Sequence, residues 1–387
     1  MMFVEIGFWA CLGLVTYIYV GYLAGGFLLA SILSRNVSKA DIEPSITVVI
    51  AAFNEEREIE STVANKLSQD YPSDRLEVIV VSDGSTDRTD EILRGLADRS
   101  EGRLRVLRQE PRQGKTPALN MALRHTSSDI VVFADANSIY GPNALRSLVR
   151  SFADPSVGYV TGQMIYTNPA DAGIGEGSGT YMSYENVLRS LENKLGSIVG
   201  VDGGIDAVRR QLYVPMRPDQ LPDFVLPLSV VEQGKRVVYE PDALLYESAL
   251  SHAGDELRMR VRVSLRALWA LYDKRNLLNP FRFPVYSWQL VSHKVLRYGA
   301  FFFLMGTLVF NAVAAIGDHS FYRWFLVLQL AAYAFAALGH VFRRFPTKAS
   351  KLMAPYYFVV LNAACALAFW KFLTRQKIVL WKPRTGS

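Results

Sequence analysis

The sequence predicts an α/β fold built on a parallel sheet, with apolar membrane segments before and after it. The first observation is a series of short apolar runs, each followed by polar residues: Ser45–Phe53, Leu76–Val81, Leu104–Leu107 and Ile130–Phe133. Strand, polar turn, helix and strand in this order form βαβ units, whose parallel strands are buried on both faces. The second observation is that long uncharged runs lie near both ends, close to the roughly 20 residues that a helix needs to cross a bilayer core.

Composition and charge narrow the class of protein. Half of the 387 residues are hydrophobic and the mean hydropathy is +0.13, so one large domain plus membrane segments is expected. The net charge is +6, and much of the basic excess lies beside apolar segments. This favours membrane flanks over a nucleic-acid surface, and no nucleic-acid partner is expected. Cys11 and Cys365 sit inside apolar runs, so a disulfide is not expected and a reducing cytosolic face is compatible.

The first apolar run, Ile6–Leu33, contains no charged residue and predicts a membrane anchor. A signal peptide normally begins with basic residues and has a shorter apolar core. Arg35 and Lys39 follow the run, which places the next domain on the cytoplasmic side.

The C-terminal third alternates amphipathic and apolar segments. Tyr286–Arg297, with Trp288 and Lys294 at headgroup level, predicts an interfacial helix. Three uncharged runs follow it: Tyr298–Ile316, Trp324–Gly339 and Met353–Trp370. If each run crosses the membrane once, the basic loop Arg343–Lys351 lies inside but the basic C-terminal tail lies outside, against the positive-inside tendency. Either the last run does not fully cross or the tail is an exception. The expected domains are an anchor (1–40), a cytoplasmic α/β domain (41–280), the interfacial helix (281–297) and a membrane region (298–387).

Polar residues at strand ends are candidate ligands, because open α/β sheets bind ligands outside the carboxyl ends of their strands. Asp135 ends the fourth strand and Asn137 follows two residues later. Two such oxygen donors can share a divalent cation that also binds phosphate oxygens, although an ordinary polar turn is the alternative. After the first strand, Asn54 is expected to cap a helix, with Glu55 in its first turn.

Three other polar residues each have a structural and a functional interpretation. Lys115 follows Gly114, but position 109 is Gln where a P-loop needs Gly, so Lys115 either meets phosphate from another kind of loop or is solvated. Asp223 precedes an apolar run and is either a helix N-cap or a carboxylate aimed into a site. His252 follows Glu247 in a polar loop, and a surface or structural histidine is favoured over a ligand.

Several strand-end motifs occur in a set order: Ala51-Ala52-Phe53-Asn54-Glu55, Ser82-Asp83-Gly84-Ser85-Thr86-Asp87, Gly114-Lys115 with Ala118-Leu119-Asn120, Asp135-Ala136-Asn137, Gly204 with Ala207 and Arg209-Arg210, then Asp223 and Arg262. Together they resemble the family 2 glycosyltransferases, the inverting membrane-bound group that includes cellulose, chitin and hyaluronan synthases. The resemblance covers roughly residues 45 to 270.

The resemblance implies a GT-A (Rossmann-like) fold, a nucleotide-diphosphate sugar as donor (a UDP-sugar by expectation), and Mg²⁺ or Mn²⁺ as cofactor. It implies these roles: Asp223 as catalytic base; Ala52, Asn54, Glu55, Asp83, Lys115 and Asp135 around the donor; Asp135 and Asn137 for the metal; Gly204, Arg209 and Arg262 on the acceptor or diphosphate side. A carboxylate base fits the chemistry, because a sugar hydroxyl must lose its proton as it attacks.

Two departures from the family pattern shape the functional expectation. Asn137 stands where the metal motif carries its second carboxylate. Of the Gln-x-x-Arg-Trp motif of processive members only Arg262 is present, and Val263 offers no aromatic face for a sugar ring. The expected function is transfer of a hexosyl or N-acetylhexosaminyl group to a membrane-lipid-linked saccharide in surface or extracellular polysaccharide assembly. The expected place is the bacterial inner (plasma) membrane, with the catalytic domain in the cytoplasm.

Two alternatives stay open at this point. One is processive synthesis, with channel lining from an oligomer or an export partner. The other is a catalytically weak GT-A scaffold in a polysaccharide export complex, against which the presence of Asp83, Asp135 and Asp223 counts.

Overall fold

The computed structural model describes residues 1–167, 173–247, 253–342 and 350–378. The strands are β1 (Ile46–Ala52), β2 (Leu76–Ser82), β3 (Leu104–Arg108), β4 (Ile130–Asp135), β5 (Ile139–Tyr140), β6 (Val157–Tyr166), β7 (Ile205–Arg209) and β8 (Arg236–Glu247). The helices are α1 (Met2–Thr16), α2 (Tyr22–Ile32), α3 (Ile59–Leu67), α4 (Thr89–Arg99), α5 (Lys115–Leu123), α6 (Ala144–Val149), α7 (Gly173–Leu195), α8 (Pro222–Glu232), α9 (Ala253–Asp273), α10 (Pro284–Leu290), α11 (Leu296–Tyr298), α12 (Ala300–Ala314), α13 (Ser320–Phe342) and α14 (Ser350–Leu373).

The eight strands form one mixed sheet in the order β3-β2-β1-β4-β7-β6-β8-β5. The four strands predicted from apolar runs are present, and β1 to β4 pair in parallel. Strand β7 runs antiparallel to its neighbours β4 and β6. Every residue of β1 is buried, since hydrophobic clusters cover both faces of the sheet.

The strand registers create one polar edge. Ala51 of β1 pairs with Asp135 of β4, and Ala52 pairs with Ser82 of β2, so these three strands end together. Because β7 is antiparallel to β4, its first residue, Ile205, pairs with Ala134 and brings the preceding glycines to the same edge.

The connection after β1 differs from the expectation. Asn54 does not cap a helix, because α3 begins only at Ile59. Asn54 instead has a left-handed backbone (φ 55°), and its side-chain oxygen accepts the backbone N–H of Thr86 at 2.8 Å. This bond ties the loop after β1 to the loop after β2. The helix expected from Pro117 begins two residues earlier, at Lys115.

Three helices in the described part of the chain are long and apolar enough to cross a membrane: Met2–Ile32, Ser320–Gly339 and Ala354–Leu373. A fourth candidate is the pair Pro284–Tyr298 and Ala300–Ala314, bent by 58°. Helices α1, α12 and α13 pack as a bundle. Gly7 of α1 faces the ring of Phe310 on α12, and Phe8 makes edge-to-face contacts with Tyr322 and Phe325 on α13.

Helix α14 packs on that bundle, where the rings of Phe302 and Phe369 lie 5.0 Å apart, and also lies along α9 of the α/β domain. Arg260 donates to the hydroxyl of Tyr357 at 2.5 Å, and the rings of Trp269 and Phe372 lie 4.6 Å apart, so the two helices run in parallel. Beyond α14, Lys377 Nζ lies 2.5 Å from the Asp219 carboxylate. The chain after α14 therefore contacts the domain that contains Asp219, as expected if either the last apolar run or the bent pair Pro284–Tyr298 and Ala300–Ala314 does not fully cross. Most of the basic loop Arg343–Lys351 lies outside the described residues.

The segment expected to be interfacial is continuous with the protein core. Helix α10, a π-helical turn (Val291–Val295) and α11 form one helix. Trp288 donates its ring N–H to Tyr17 at 2.8 Å, and Lys294 Nζ points at Gly200. Both side chains thus contact protein, because α2 and α7 cover this helix, and their placement at headgroup level stays a prediction.

Candidate active site

Lys115 joins two carboxylates from distant parts of the chain. As the first residue of α5, it places Nζ 2.8 Å from Asp135 Oδ1 at the end of β4 and 3.5 Å from Asp223 Oδ1 in the first turn of α8. All three side chains are partly exposed. Asp223 is thus not an N-cap, and Lys115 is not simply solvated. The edge of the sheet where α/β proteins bind ligands thus carries one ammonium and two carboxylates.

A glycine turn lets the two carboxylates approach β7. Gly203 has φ +87°, and a Cβ at this position would lie 2.8 Å from the Asp223 carboxyl group. A Cβ on Gly204 would lie 3.6 Å from Asp135 Oδ2. A side chain at Gly203 would be strained and would fill the space that the carboxylate of Asp223 uses.

For both Lys115 and Asp223, burial and the opposite charge of the partner shift the pKa in opposite directions. Burial lowers the pKa of Lys115, but Asp135 and Asp223 outweigh that effect and the net shift is upward. Burial raises the pKa of Asp223; Lys115 and Arg266 oppose the shift and Asp135 adds to it. A carboxylate with a raised pKa is a stronger base than an ordinary aspartate, while Lys115 stays a cation.

Two arginines of α9 face the same carboxylates. Burial lowers the pKa of Arg262, and Asp223 and Asp135 oppose this shift, as expected for a guanidinium near both. Burial also lowers the pKa of Arg266, to about 10. Arg266 donates to the backbone oxygen of Gln220 and to Thr116 Oγ1, so it holds the start of α8 against α5. Sequence reasoning missed Arg266, although its spacing of four residues from Arg262 puts both on one helix face.

Asp83 organises the loop that leads to Lys115. It is fully buried, and its oxygens accept the backbone N–H groups of Gln113 at 2.8 Å and Gly114 at 2.9 Å, together with the side-chain amide of Gln109 at 2.5 Å. The guanidinium of Arg112 stacks 3.4 Å from the ring centroid of Phe53. In this structure Asp83 therefore holds residues 109–114, and the exposed surface beside it belongs to Arg112 and Phe53.

Among the other expected donor residues, Ala52 ends β1 and is fully buried. Glu55 donates its backbone N–H to Thr89 Oγ1 at 2.9 Å, at the start of α4. With Asn54, these residues close the edge formed by β1 and β2.

Arg209 is the expected site residue that the structure does not bring to this edge. It pairs with Ile130 at the opposite end of β4. Its guanidinium donates to the backbone oxygens of Val157 at 2.7 Å and Phe152 at 2.6 Å. The expectation of an acceptor-side role is wrong for this residue, because the antiparallel direction of β7 carries it away from Gly204.

Asn137 meets a carboxylate that comes from β8. Its amide Nδ2 donates to Glu247 Oε1 at 3.3 Å, and Glu247 is 6% exposed. His252 lies outside the described residues. Within the described ranges, no three His, Cys, Asp or Glu side chains form a ready metal cluster. The available donors at this edge are oxygens of Asp135, Asn137 and Glu247, and the space beside Gly204 is one that a Cβ would fill. This set fits a hard divalent cation.

Asp206 is a second residue that sequence reasoning missed. It is fully buried in β7, and neither carboxylate oxygen has a hydrogen-bond partner within the described structure. Burial, together with the charge of Asp223, raises its pKa to about 8. A charged residue within the short apolar run Ile205–Val208 was the available signal.

The mixed sheet and its polar edge define a GT-A glycosyltransferase fold. A solved mannosyltransferase from Pyrobaculum calidifontis, determined with GDP-Man and Mn²⁺, superimposes with a TM-score of 0.74 at 24% identity, over 96% of this chain and 99% of the other. Residues 47–213 match the family described as Glycosyl transferase family 2. Over these residues, less than half of the chain, the protein is thus similar to a family 2 glycosyltransferase domain.

Curated relatives are similar over part of their length. The chain is 27% identical over 253 residues to poly-beta-1,6-N-acetyl-D-glucosamine synthase of Staphylococcus aureus, covering 62% of this chain and 59% of that protein. It is 35% identical over 170 residues to beta-monoglucosyldiacylglycerol synthase of Synechocystis sp., covering 43% and 35%. The matched region thus spans less than two thirds of either relative.

Proposed function

We propose that the protein is an inverting glycosyltransferase that moves a sugar from a nucleotide-diphosphate sugar to a membrane-lipid-linked saccharide during surface or extracellular polysaccharide assembly. The observation that carries the proposal is the contact of one ammonium, Lys115, with two carboxylates, Asp135 at 2.8 Å and Asp223 at 3.5 Å. One carboxylate can serve the diphosphate side of the reaction and the other the attacking hydroxyl.

In this proposal Asp223 is the general base. It takes the proton of the acceptor hydroxyl as the oxygen attacks the anomeric carbon, and a single displacement inverts that centre. Its raised pKa and its place against the Gly203 turn support this role. Lys115, Arg262 and Arg266 hold positive charge next to the position where the diphosphate leaves, and such charge stabilises the departing group.

Asp135 and Asn137 would hold a divalent cation, Mg²⁺ or Mn²⁺. When bound, the cation would offset the negative charge that develops on the nucleoside diphosphate. Donor binding falls to the edge formed by Ala52, Asn54 and Glu55, with the Asp83-held loop beside it. Gly204 keeps the space next to Asp135 open.

The acceptor is proposed to arrive from the membrane. Arg262 and Arg266 lie on α9, and the apolar helix α14 packs along the same α9. The site is therefore one helix away from an apolar surface, as a lipid-linked acceptor requires. The resemblance to a diacylglycerol glycosyltransferase supports a lipid acceptor, and the resemblance to an N-acetylglucosamine polymer synthase supports a hexosyl or N-acetylhexosaminyl donor. We place the catalytic domain on the cytoplasmic side of a bacterial plasma membrane.

The test is donor turnover by the full chain in lipid nanodiscs. A panel of UDP- and GDP-linked sugars is supplied with lipid extract, and released nucleoside diphosphate and labelled lipid product are measured. One donor is expected to give a labelled lipid, chelation to stop the reaction, and Mn²⁺ or Mg²⁺ to restore it. Turnover that continues in excess chelator would contradict the role given to Asp135, and no turnover with any donor would favour the scaffold alternative.

Processive synthesis is the second candidate, because the similarity to the staphylococcal polymer synthase extends over 253 residues. Product size separates the two. Long homopolymer made from donor alone, without added lipid, would overturn the proposed transfer of one or a few sugars.

A further inference from the structure

We propose that Glu247 supplies the second carboxylate of the divalent-cation site, which the neutral Asn137 lacks. This inference rests on the metal-dependent transfer proposed above. It assigns a cation ligand to a residue at the end of β8, far in sequence from Asp135.

Strand pairing brings Glu247 to this place. Strands β5 and β8 are antiparallel, with Ile139 opposite Tyr246. Glu247, the next residue of β8, therefore lies opposite the chain just before β5, where Asn137 is. The bond from Asn137 Nδ2 to Glu247 Oε1 at 3.3 Å follows from this register.

The side chains around Gly204 connect Glu247 to Asp135. Alternate residues of a strand share a face, so Glu247 is on the face of Leu245. Leu245 Cδ2 lies 2.6 Å from the point where a Cβ on Gly204 would be, and Asp135 Oδ2 lies 3.6 Å from the same point. Asp135 and Leu245, which is on the same face of β8 as Glu247, thus both lie next to Gly204.

The charges at this edge favour an acid at Glu247. Asp135 already shares its charge with Lys115 at 2.8 Å, and Asn137 contributes none. Without a further carboxylate, a divalent cation would bind beside Asp135 alone, and Lys115 already compensates much of the negative charge of Asp135. An amide that donates through Nδ2 keeps Oδ1 as an oxygen donor, so Asn137 can bind Glu247 and still offer an oxygen to the cation.

The experiment measures Mn²⁺ binding by the full chain in nanodiscs, with and without UDP or GDP. Electron paramagnetic resonance of free Mn²⁺ reports affinity without any need for turnover. Glu247→Gln removes the charge and keeps one acceptor oxygen for Asn137. We expect it to weaken Mn²⁺ binding by about tenfold or more.

A charge-relocation variant gives the decisive comparison. Asn137→Asp combined with Glu247→Gln moves the carboxylate from position 247 to position 137. The affinity for Mn²⁺ should then return to within about threefold of that of the parent protein. Glu60→Gln, which removes an exposed acid on α3, is the matched control and should change nothing.

Different results would contradict the assignment of Glu247 as a cation ligand and the proposed glycosyl transfer. Unchanged Mn²⁺ affinity in Glu247→Gln would overturn the assignment of Glu247, whatever the enzyme activity. Failure of the double variant to recover affinity while it remains folded would also overturn it, since charge would then not be the cause. Loss and recovery of Mn²⁺ binding without transfer from any donor would support the cation site and contradict the proposed function.

Discussion

The donor side of the site and its membrane-facing side are held by different kinds of contact. On the donor side, side chains bond to backbone groups in neighbouring loops: Asp83 accepts from Gln113 and Gly114, and Asn54 accepts from Thr86. On the membrane-facing side, side chains bond to side chains far away in sequence. Glu192 of α7 accepts from Tyr22 of α2 at 2.6 Å and faces His293 at 2.7 Å.

The membrane-facing contacts form a continuous buried network along α7. Glu185 faces the second ring nitrogen of His293 at 3.2 Å and binds Arg297 at 2.6 Å. One turn along the same helix, the buried Arg189 pairs with Asp202 at 2.5 Å, and Asp202 directly precedes the Gly203 turn at the catalytic edge. The comparison shows that local motifs build the donor side, whereas tertiary charge pairs join the membrane helices to it.

The largest expected effect comes from Asp223→Asn. Removal of the base should lower transfer by about 10²- to 10⁴-fold, since that is the range that general base catalysis supplies. Donor binding, which belongs to the other side of the site, should stay close to that of the parent protein. Turnover and donor affinity are measured on the same preparation.

Asp219→Asn is the matched control, because Asp219 lies in the loop just before α8 but pairs with Lys377 at 2.5 Å. It should keep most of the activity. Near-normal turnover in Asp223→Asn would remove the base assignment. Loss of donor binding in that variant would show that the two sides are not separate.

The same contrast explains what the sequence could predict. Strands β1 to β4 follow from continuous apolar runs, and the start of α5 was expected two residues too late. Lys115, Asp135 and Asp223 were named as site residues from the order of the motifs, before their contacts were known. Asn54 was misassigned because asparagine is common both at helix N-caps and at positions with a left-handed backbone, so the residue type alone does not separate the two. Arg209 was misplaced because the direction of β7 is a property of the whole sheet. The protein contacts of Trp288 and Lys294 were not foreseen because α2 and α7, which cover them, are remote in sequence.

The second largest effect is expected from a substitution that disrupts only the membrane-facing network. Glu192→Gln removes a buried charge that faces His293, and loss of one partner of a buried pair costs about 3–5 kcal/mol. Thermal stability in nanodiscs should fall clearly, while Mn²⁺ and donor affinity of the remaining folded protein stay unchanged. Tyr22→Phe removes only one hydrogen bond to the same carboxylate and should cost about 1 kcal/mol. Equal effects of the two variants would contradict a network in which the charge of Glu192 matters most.

The third prediction uses the pH dependence of stability at Asp206. Its pKa in the folded protein is raised from an ordinary value to about 8 by burial. The folded state therefore holds a proton that the unfolded state releases, and the contribution to stability is lost as pH rises from about 4 to 8. Its slope is at most about 1.4 kcal/mol per pH unit.

Asp206→Asn should remove this slope. Unfolding midpoints of the variant and the parent protein, measured from pH 5 to pH 8, are expected to diverge in favour of the variant as pH rises. Asp74→Asn, on an exposed turn, is the control and should follow the parent curve. Parallel curves for Asp206→Asn would mean that Asp206 is ionised in the folded protein across this range.

The smallest effect is expected where the chain leaves α14. Lys377 is partly exposed, so Lys377→Ala should change stability by less than about 1 kcal/mol, in contrast to the buried pairs of α7.

The side of the membrane on which the C-terminal tail lies is the more informative measurement. Lys377 contacts Asp219 and the backbone oxygen of Gln376 accepts from Trp269 at 2.9 Å, so this end of the chain lies on the catalytic domain. Lys382 and Arg384 follow it and oppose entry into the bilayer. A protease-cleavable tag after Ser387 should be protected in intact cells and cut once the membrane is opened, together with a second tag in the exposed turn at Asp74. Cleavage of the C-terminal tag alone in intact cells would place the tail across the membrane from the catalytic domain and exclude the packing of α14 on α9.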